Sequence, residues 1–266
     1  MKIAFIGGGT MGEAILAALL EKKRIIPSSV CISDVSKERR DYISGRYGVL
    51  VTDDNKKATE GKDVIVLAIK PQQFGDVLSD LKGSLLSSQV VISIAAGIRI
   101  QTMTRGLGHS RVVRAMPNTP AQIGQGITGW TATPGVTDLQ KEHTRTVLTA
   151  MGKEIYFQKE ESLDMVTAIS GSGPAYFFFF AEALTAAAVN IGLSPEDAGE
   201  LILQTMLGAA RLLEKSAKPP AELRRNVTSK SGTTERAIQV FEAGGFNHIV
   251  DAAVKAALER AKELGG

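Results

Sequence analysis

The opening twelve residues, MKIAFIGGGTMG, constrain the fold more tightly than any other stretch of the chain. Residues 2–6 are a short apolar run rich in strand formers. They lead directly into Gly7-Gly8-Gly9-Thr10-Met11-Gly12, which fits G-x-G-x-x-G, and residues 13–20 (EAILAALL) continue with strong helix formers. Strand, glycine turn and helix therefore follow in the order that a dinucleotide cradle requires. Gly7 allows the tight turn, Gly9 lets a pyrophosphate approach the backbone, and Gly12 lets the helix pack against the strand. The free amides and positive dipole end of the helix would face the phosphates, with Ile6, Gly8, Thr10 and Met11 completing the cradle. The alternative is a plain strand-to-helix turn with incidental glycines, and the local context argues against it.

With 266 residues the chain has room for one large domain or two ordinary ones. A net charge of +3 is too small to point to nucleic acid or a membrane surface as partner. Aromatic residues make up only 5%, so base-stacking platforms are not expected. Cys31 is the only cysteine, which excludes an internal disulfide and suits a reducing cytoplasm. It lies in an apolar run, as a small core residue would. No signal peptide is expected, because the chain already opens as a strand. The most apolar long stretch, residues 174–191, carries Glu182 in its middle and Asn190 near its end, so no membrane span is expected. His109, His143 and His248 show no metal-ligand spacing, and no metal is expected.

Residues 29–34 (SVCISD) read as a second strand. Its terminal acid, Asp34, stands 22 positions after Gly12, close to where the fingerprint places a ribose-binding carboxylate. Asp34 alone favours a free 2′-hydroxyl, and so NAD(H). Ser36, Lys37, Arg39 and Arg40 follow at once; they could hold the 2′-phosphate of NADP(H) or simply form a solvated helix face. The 2′ preference stays open. A short third strand is expected at 48–51, with Asn55 just after it. Apolar runs at 63–69, 89–95 and 111–115 read as strands buried in a parallel sheet.

Helical segments between these strands complete a βαβα alternation, the mark of a Rossmann-type, doubly wound parallel α/β sheet. Ligands in such sheets sit beyond the carboxyl ends of the strands. That rule nominates Asp34, Asn55, Ala68, Ile69, Lys70, Pro71, Ala95, Ala96 and Gly97 as cofactor contacts. It also nominates Met116, Pro117, Asn118 and Thr119, where Pro117 and Pro120 stiffen a loop offering polar donors toward a carboxamide or substrate. Two further strands, 126–131 and 154–157, flank a helix over 137–151, and strand signals then stop. The expected organisation is a dinucleotide-binding domain over 1–160 and an all-helical domain over 161–266.

Four consecutive phenylalanines, Phe177 to Phe180, put apolar surface on every side of one helix in the second half. Such a helix has to be buried on every side. A domain of roughly a hundred residues struggles to enclose it alone, so burial against another subunit is expected. Ser194-Pro195-Glu196-Asp197 is an N-cap followed by proline and acids; it opens a helix to about residue 217, which Lys218-Pro219-Pro220 breaks. Residues 228–234 (TSKSGTT) then precede an amphipathic helix. Free amides at Gly232, Thr233 and Thr234 would form a nest for a carboxylate. Read locally, a capping box with Ser229 or Ser231 as cap and Glu235 nearby is the simpler account.

Together the motifs FIGGGTMGEAI (5–15), AIKPQ (68–72), SIAAGI (93–98), RAMPNTPA (114–121), SGSGPAY (170–176) and VTSKSGTTERAI (227–238) resemble those of the pyrroline-5-carboxylate reductases. The resemblance covers nearly the whole chain. It implies reduction of the cyclic imine 1-pyrroline-5-carboxylate to L-proline, the last step of proline biosynthesis, with NADPH or NADH as hydride donor. It also implies an intertwined homodimer built by the helical domain, often assembled further into decamers. In the family the last motif binds the substrate carboxylate through its amides, and its second threonine hydrogen-bonds the ring nitrogen. Carried over, these roles fall on Gly232, Thr233 and Thr234, with Ser229 opening the same turn and Thr234 as the catalytic residue.

A protonated imine accepts hydride readily, so orientation and a neutral donor suffice where a hydroxy-acid dehydrogenase would need a base. None of the three histidines lies in these motifs. The chain departs from the family pattern where Lys230-Ser231 stands in place of the usual Pro-Gly. Ser231 lacks the freedom of glycine at positive φ, and Lys230 adds a charge that could attract a carboxylate. Two other readings share the plan: a related imine or β-hydroxyacid-type dehydrogenase, which would need a catalytic lysine, and a non-catalytic dinucleotide sensor with an altered substrate loop.

Overall fold

The apolar runs of the first half become strands and the segments between them become helices. In the computed structural model, which describes residues 1–265, the order is β1 (Ile3–Ile6), α1 (Thr10–Glu21), β2 (Val30–Ser33), α2 (Lys37–Tyr47), β3 (Leu50–Thr52), α3 (Asn55–Thr59), β4 (Val64–Leu67), α4 (Phe74–Leu81), β5 (Val90–Ser93), α5 (Ile100–Leu107) and β6 (Val112–Met116). Then come β7 (Gly126–Ala132), α6 (Asp138–Ala150), β8 (Gly152–Tyr156) and α7 (Ser162–Val166). Strands β1, β2, β4 and β5 are buried at every residue, as strands covered by helices on both faces must be. Side chains alternate between two cores. Ile3 and Phe5 join Ile15, Leu19 and Trp130, whereas Ala4 and Ile6 join Leu67, Phe74 and Met103. Each of the larger side chains contributes about 1.5–3 kcal/mol by leaving water.

The sheet order is β3-β2-β1-β4-β5-β6-β7-β8. Pairing is parallel from β3 to β6, so the sheet reverses its strand order between β1 and β4, the crevice where doubly wound sheets bind ligands. It departs from an all-parallel sheet once, because β7 runs antiparallel to β6, and β8 then lies parallel to β7. The cause is length. Nine residues, 117–125, join β6 to β7, too few for the crossover that a parallel neighbour needs.

Contacts divide the described residues into one unit of 1–172 with 257–265, and a second of 173–256. By contacts the first unit runs on past residue 160 and takes in α7 and the π-helical turn after it, Thr167–Gly171. A Cβ on Gly129 of β7 would lie 2.8 Å from a methyl of Val166, and one on Gly171 would lie 2.8 Å from the Met116 methyl.

The second unit is wholly helical: α8 (Gly173–Asn190), α9 (Pro195–Ser216), α10 (Pro220–Asn226), α11 (Thr233–Ala243) and the first half of α12 (Phe246–Gly265). Ser194 caps α9 by accepting from the Asp197 amide, and Ala217 ends it in the left-handed region. The short helix α10, opened by Pro220, is an addition to the expected pattern. Within 173–256 only Gly173 and Ala198 are buried. Phe177, Phe178 and Phe179 are exposed, Phe179 at 73%. Phe180 finds partners in Phe241 and Phe246, with ring centroids 6.2 and 6.4 Å away. By length and composition the helical run Ser162–Asn190 could cross a bilayer.

Candidate functional site

The site is built on the carboxyl edge of the parallel strands, where Ile6, Ser33, Leu67 and Ser93 stand level in register. From Ile6 the chain turns at Gly7, whose φ of +97° is open to glycine. Its amide donates to the Ser33 carbonyl at 2.8 Å. The three motif glycines then separate by role. A Cβ on Gly7 would lie 2.6 Å from the Ala68 carbonyl oxygen, and one on Gly12 would lie 2.6 Å from the Gly7 carbonyl oxygen. One on Gly9 would meet nothing within 4 Å. Gly7 and Gly12 thus serve the close fit of turn, strand and helix, while Gly9 faces open space. Gly9 is also the N-cap of α1 and brings no side-chain cap. The first intrahelical bond runs from the Glu13 amide to the Gly9 carbonyl, so the amides of Thr10, Met11 and Gly12 remain as donors at the positive end of the helix. That arrangement fits a pyrophosphate.

Around this turn the polar groups are tightly paired. Asp34 accepts from the Gly8 amide through Oδ2 at 2.8 Å and from the Ser36 amide through Oδ1 at 2.9 Å. Its carboxylate therefore shapes the glycine turn. Arg39 donates to the Gly8 carbonyl and to Glu13, and Arg40 donates to the Asp34 carbonyl at 2.7 Å. Ser36 caps α2 by accepting from the Arg39 amide. Glu13 also accepts from Tyr47 at 2.7 Å and Tyr42 at 3.2 Å. Burial alone would raise its pKa, but the bonds from Tyr47 and Arg39, the Arg39 charge and the Tyr42 bond outweigh burial and hold it below the usual carboxylate value. Burial and the same carboxylate push the Tyr47 phenol up to about 12.

Further along the edge, Asn55 accepts from the Ser33 hydroxyl at 2.7 Å and donates to Asp80 at 3.0 Å, tying β2 to α4. Ala68 and Ile69 line the Gly7 turn, and Lys70 and Pro71 are exposed at the start of a 3-10 turn. Ala95, Ala96 and Gly97 follow β5, with Gly97 at φ +73°. Met116 ends β6; Pro117 is buried and Thr119 exposed. Asn118 accepts from the Ile127 amide through Oδ1 at 2.9 Å, which holds the reversal between β6 and β7 and leaves its amide group as donor.

The expected substrate turn lies in the second unit. Helix α11 begins at Thr233 with Gly232 as N-cap, and no side chain caps it. This corrects the Ser229 or Ser231 capping box: the cap position falls on a residue without a side chain. Only half of a box forms, as Glu235 reaches back to the Ser231 amide at 2.8 Å. It also corrects the expected nest, since the Gly232 amide is taken by the Ser229 carbonyl at 3.1 Å. The first intrahelical bond is from Arg236 to Gly232, so Thr233, Thr234 and Glu235 present their amides at the helix start. Ser231 stands at φ +59°, the left-handed conformation that glycine would take without strain. Among the described residues no group of three or more His, Cys, Asp or Glu side chains converges to hold a metal.

Residues 160–264 match a family model described as pyrroline-5-carboxylate reductase dimerisation, and residues 2–97 match one described as NADP oxidoreductase, coenzyme F420-dependent. A pyrroline-5-carboxylate reductase of Pseudomonas aeruginosa is 43% identical, covering 99% of this chain and 96% of the relative. The chain belongs to the pyrroline-5-carboxylate reductase family. Among solved members of the family, the reductase from Coxiella burnetii superposes with a TM-score of 0.94 at 39% identity, covering 100% of this chain and 98% of that one. The Plasmodium falciparum pyrroline carboxylate reductase with NADP bound gives 0.88 at 32% identity over 100% and 98% of the two chains.

Within this member of the family, the nominated residues of the first unit, from Ile6 to Thr119, gather along one sheet edge, and Ser229 to Thr234 gather at one helix start. Sequence reading overlooks two groups. One is Glu13, read only as a helix former, which anchors Arg39 beside Gly8. The other is the set Arg99, Arg114, Glu160 and Asp164, for which the one local signal is an arginine inside the apolar strand RVVRA.

Proposed function

We propose that the chain reduces 1-pyrroline-5-carboxylate to L-proline with NADPH or NADH, as a cytoplasmic homodimer or a decamer of five dimers. The observation that carries this reading is similarity along the full length to proteins named pyrroline-5-carboxylate reductase, at 43% identity in one case. A reduced nicotinamide supplies the hydride when bound. Gly7, Gly8, Gly9, Thr10, Met11 and Gly12, with Ile6 beneath them, cradle the pyrophosphate. Asp34 and Asn55 face the ribose; Ala68, Ile69, Lys70, Pro71, Ala95, Ala96 and Gly97 line the dinucleotide. Met116, Pro117, Asn118 and Thr119 flank the nicotinamide end, and the Asn118 amide group is the donor suited to a carboxamide.

The substrate carboxylate is held by the amides of Thr233 and Thr234, in a turn shaped by Ser229 and Gly232, with the Lys230 charge nearby. The Thr234 hydroxyl hydrogen-bonds the ring nitrogen and orients C5. No residue is needed as a base, because the protonated imine is already electrophilic. Pairing with a second copy is supported by the match to a dimerisation family over 160–264 and by the uncovered apolar side chains of α8 and α9. The test is an absorbance assay of dinucleotide oxidation by the full-length protein with 1-pyrroline-5-carboxylate. Substrate-dependent oxidation of NADPH or NADH is the expected result, and oxidation of neither overturns the reading.

A further inference from the structure

The first unit contains four charged side chains that none of these roles uses. Asp164 on α7 accepts from Arg99 Nη2 at 2.9 Å through Oδ2 and from Arg114 Nη2 at 3.2 Å through Oδ1. Arg114 on β6 also reaches Glu160 Oε1 through Nη1 at 3.0 Å. The same oxygen accepts from the Ile100 amide at 2.8 Å and so caps the start of α5. The side chains of Asp164 and Arg114 are each 3% exposed. Two cations balance two anions, and among the described residues no buried side-chain nitrogen or oxygen lacks a partner.

Burying such a cluster is a weak source of stability, since desolvation offsets most of the attraction and apolar packing of the same volume would serve as well. What a fully paired cluster does well is fix geometry. Its members sit on three pieces of chain that converge on the ligand edge. Arg99 follows the 95–98 loop directly and is the N-cap of α5. Arg114 lies two residues before Met116 on β6. Asp164 lies on α7, which runs on into the π-helical turn whose Gly171 packs against the Met116 methyl. From the other side the end of α12 closes on the loop. A Cβ on Gly97 would lie 2.8 Å from the Leu264 carbonyl oxygen, and one on Gly265 would lie 2.8 Å from Arg99 Nε.

We infer that Arg99, Arg114, Asp164 and Glu160 are positioning residues for the dinucleotide: they set where the 95–97 loop and Met116 stand relative to the glycine turn. The inference rests on the proposed function for what lies along that edge. Its test is steady-state kinetics on the full-length Asp164→Asn and Arg99→Gln variants, each well below its melting temperature. The dinucleotide KM should rise on the order of tenfold, with kcat changed much less. Arg99→Lys, which can keep one bond to Asp164, should recover part of the loss. The double variant Arg99→Gln/Asp164→Asn should be no worse than Asp164→Asn alone, because both remove one interaction.

If Asp164→Asn does not fold, Arg99→Gln decides the matter, since its side chain lies at the rim of the cluster with 23% exposure. Variants that melt lower but keep the wild-type dinucleotide KM overturn the inference while leaving the proposed function intact. A wild-type protein that binds neither dinucleotide in a fluorescence titration overturns both.

Discussion

A side chain on Gly12 would begin 2.6 Å from the carbonyl oxygen of Gly7. The obstacle is backbone, so Gly12→Ala forces α1 away from the turn and should cost about 1–3 kcal/mol of stability, read as a lower urea midpoint. Gly9→Ala makes the contrasting case, because its methyl group meets nothing within 4 Å and its φ of −65° suits alanine. It should cost less than about 1 kcal/mol in stability, as a lost cap preference does. Dinucleotide affinity, followed by fluorescence quenching, should nevertheless fall, since the methyl group occupies the space proposed for phosphate.

Ser231→Gly should stabilise the protein. A residue with a Cβ pays about 1–2 kcal/mol in the left-handed region, and glycine's greater freedom in the unfolded chain offsets about half of that. A net gain of about 0.5–1 kcal/mol in urea unfolding is expected. The bond from the Ser231 amide to Glu235 survives the change, because it uses only the backbone. A stability loss would mean that the serine hydroxyl holds this turn.

Thr234→Ala should lower kcat/KM for 1-pyrroline-5-carboxylate by the equivalent of about 1–3 kcal/mol, the cost of leaving the ring nitrogen without its hydrogen-bond partner. Melting temperature should hardly change, since Thr234 makes no cap bond to α11. An unchanged kcat/KM removes the residue from the catalytic role.

Acid stability should depend on Glu13. Its folded-state pKa lies below the ordinary 4.5, so the unfolded chain takes up the proton first as pH falls. The stabilisation is therefore complete above pH 4.5 and is lost as pH drops through the lower, folded value. Glu13→Gln should be less stable than wild type at neutral pH and should show a shallower decline below pH 4.5. Urea midpoints across a pH series measure both.

Replacing Phe179, 73% exposed on α8, by aspartate should shift the full-length protein toward a smaller species in sedimentation at a given concentration. Wild type should sediment as a dimer or larger. A wild-type monomer at micromolar concentration would remove the proposed pairing.

Most of the first unit is legible in the sequence because its signals are local. Continuous apolar runs mark buried strands, and four glycines in six positions leave few geometries for the turn. The antiparallel step at β7 is less visible, since it follows from the length of the 117–125 connection rather than from any strand pattern. The cap of α11 misleads because two serines precede the true cap, and the glycine between them and the helix has no side chain to offer. Arg114 and Asp164 pair across 50 positions, and no periodicity or motif links them. Asp34 is found by spacing, yet its bonds to Gly8 and Ser36 emerge only once the turn is folded.

Gly173 and Ala198 are the only residues of 173–256 that the chain fully buries by itself. Under the proposed pairing, completing this region is a bimolecular event. A nascent copy stays unfinished until it encounters another, and dilution becomes a denaturing condition in its own right. Thermal midpoints should then climb with protein concentration, so that two laboratories working at different dilutions would disagree about the same molecule.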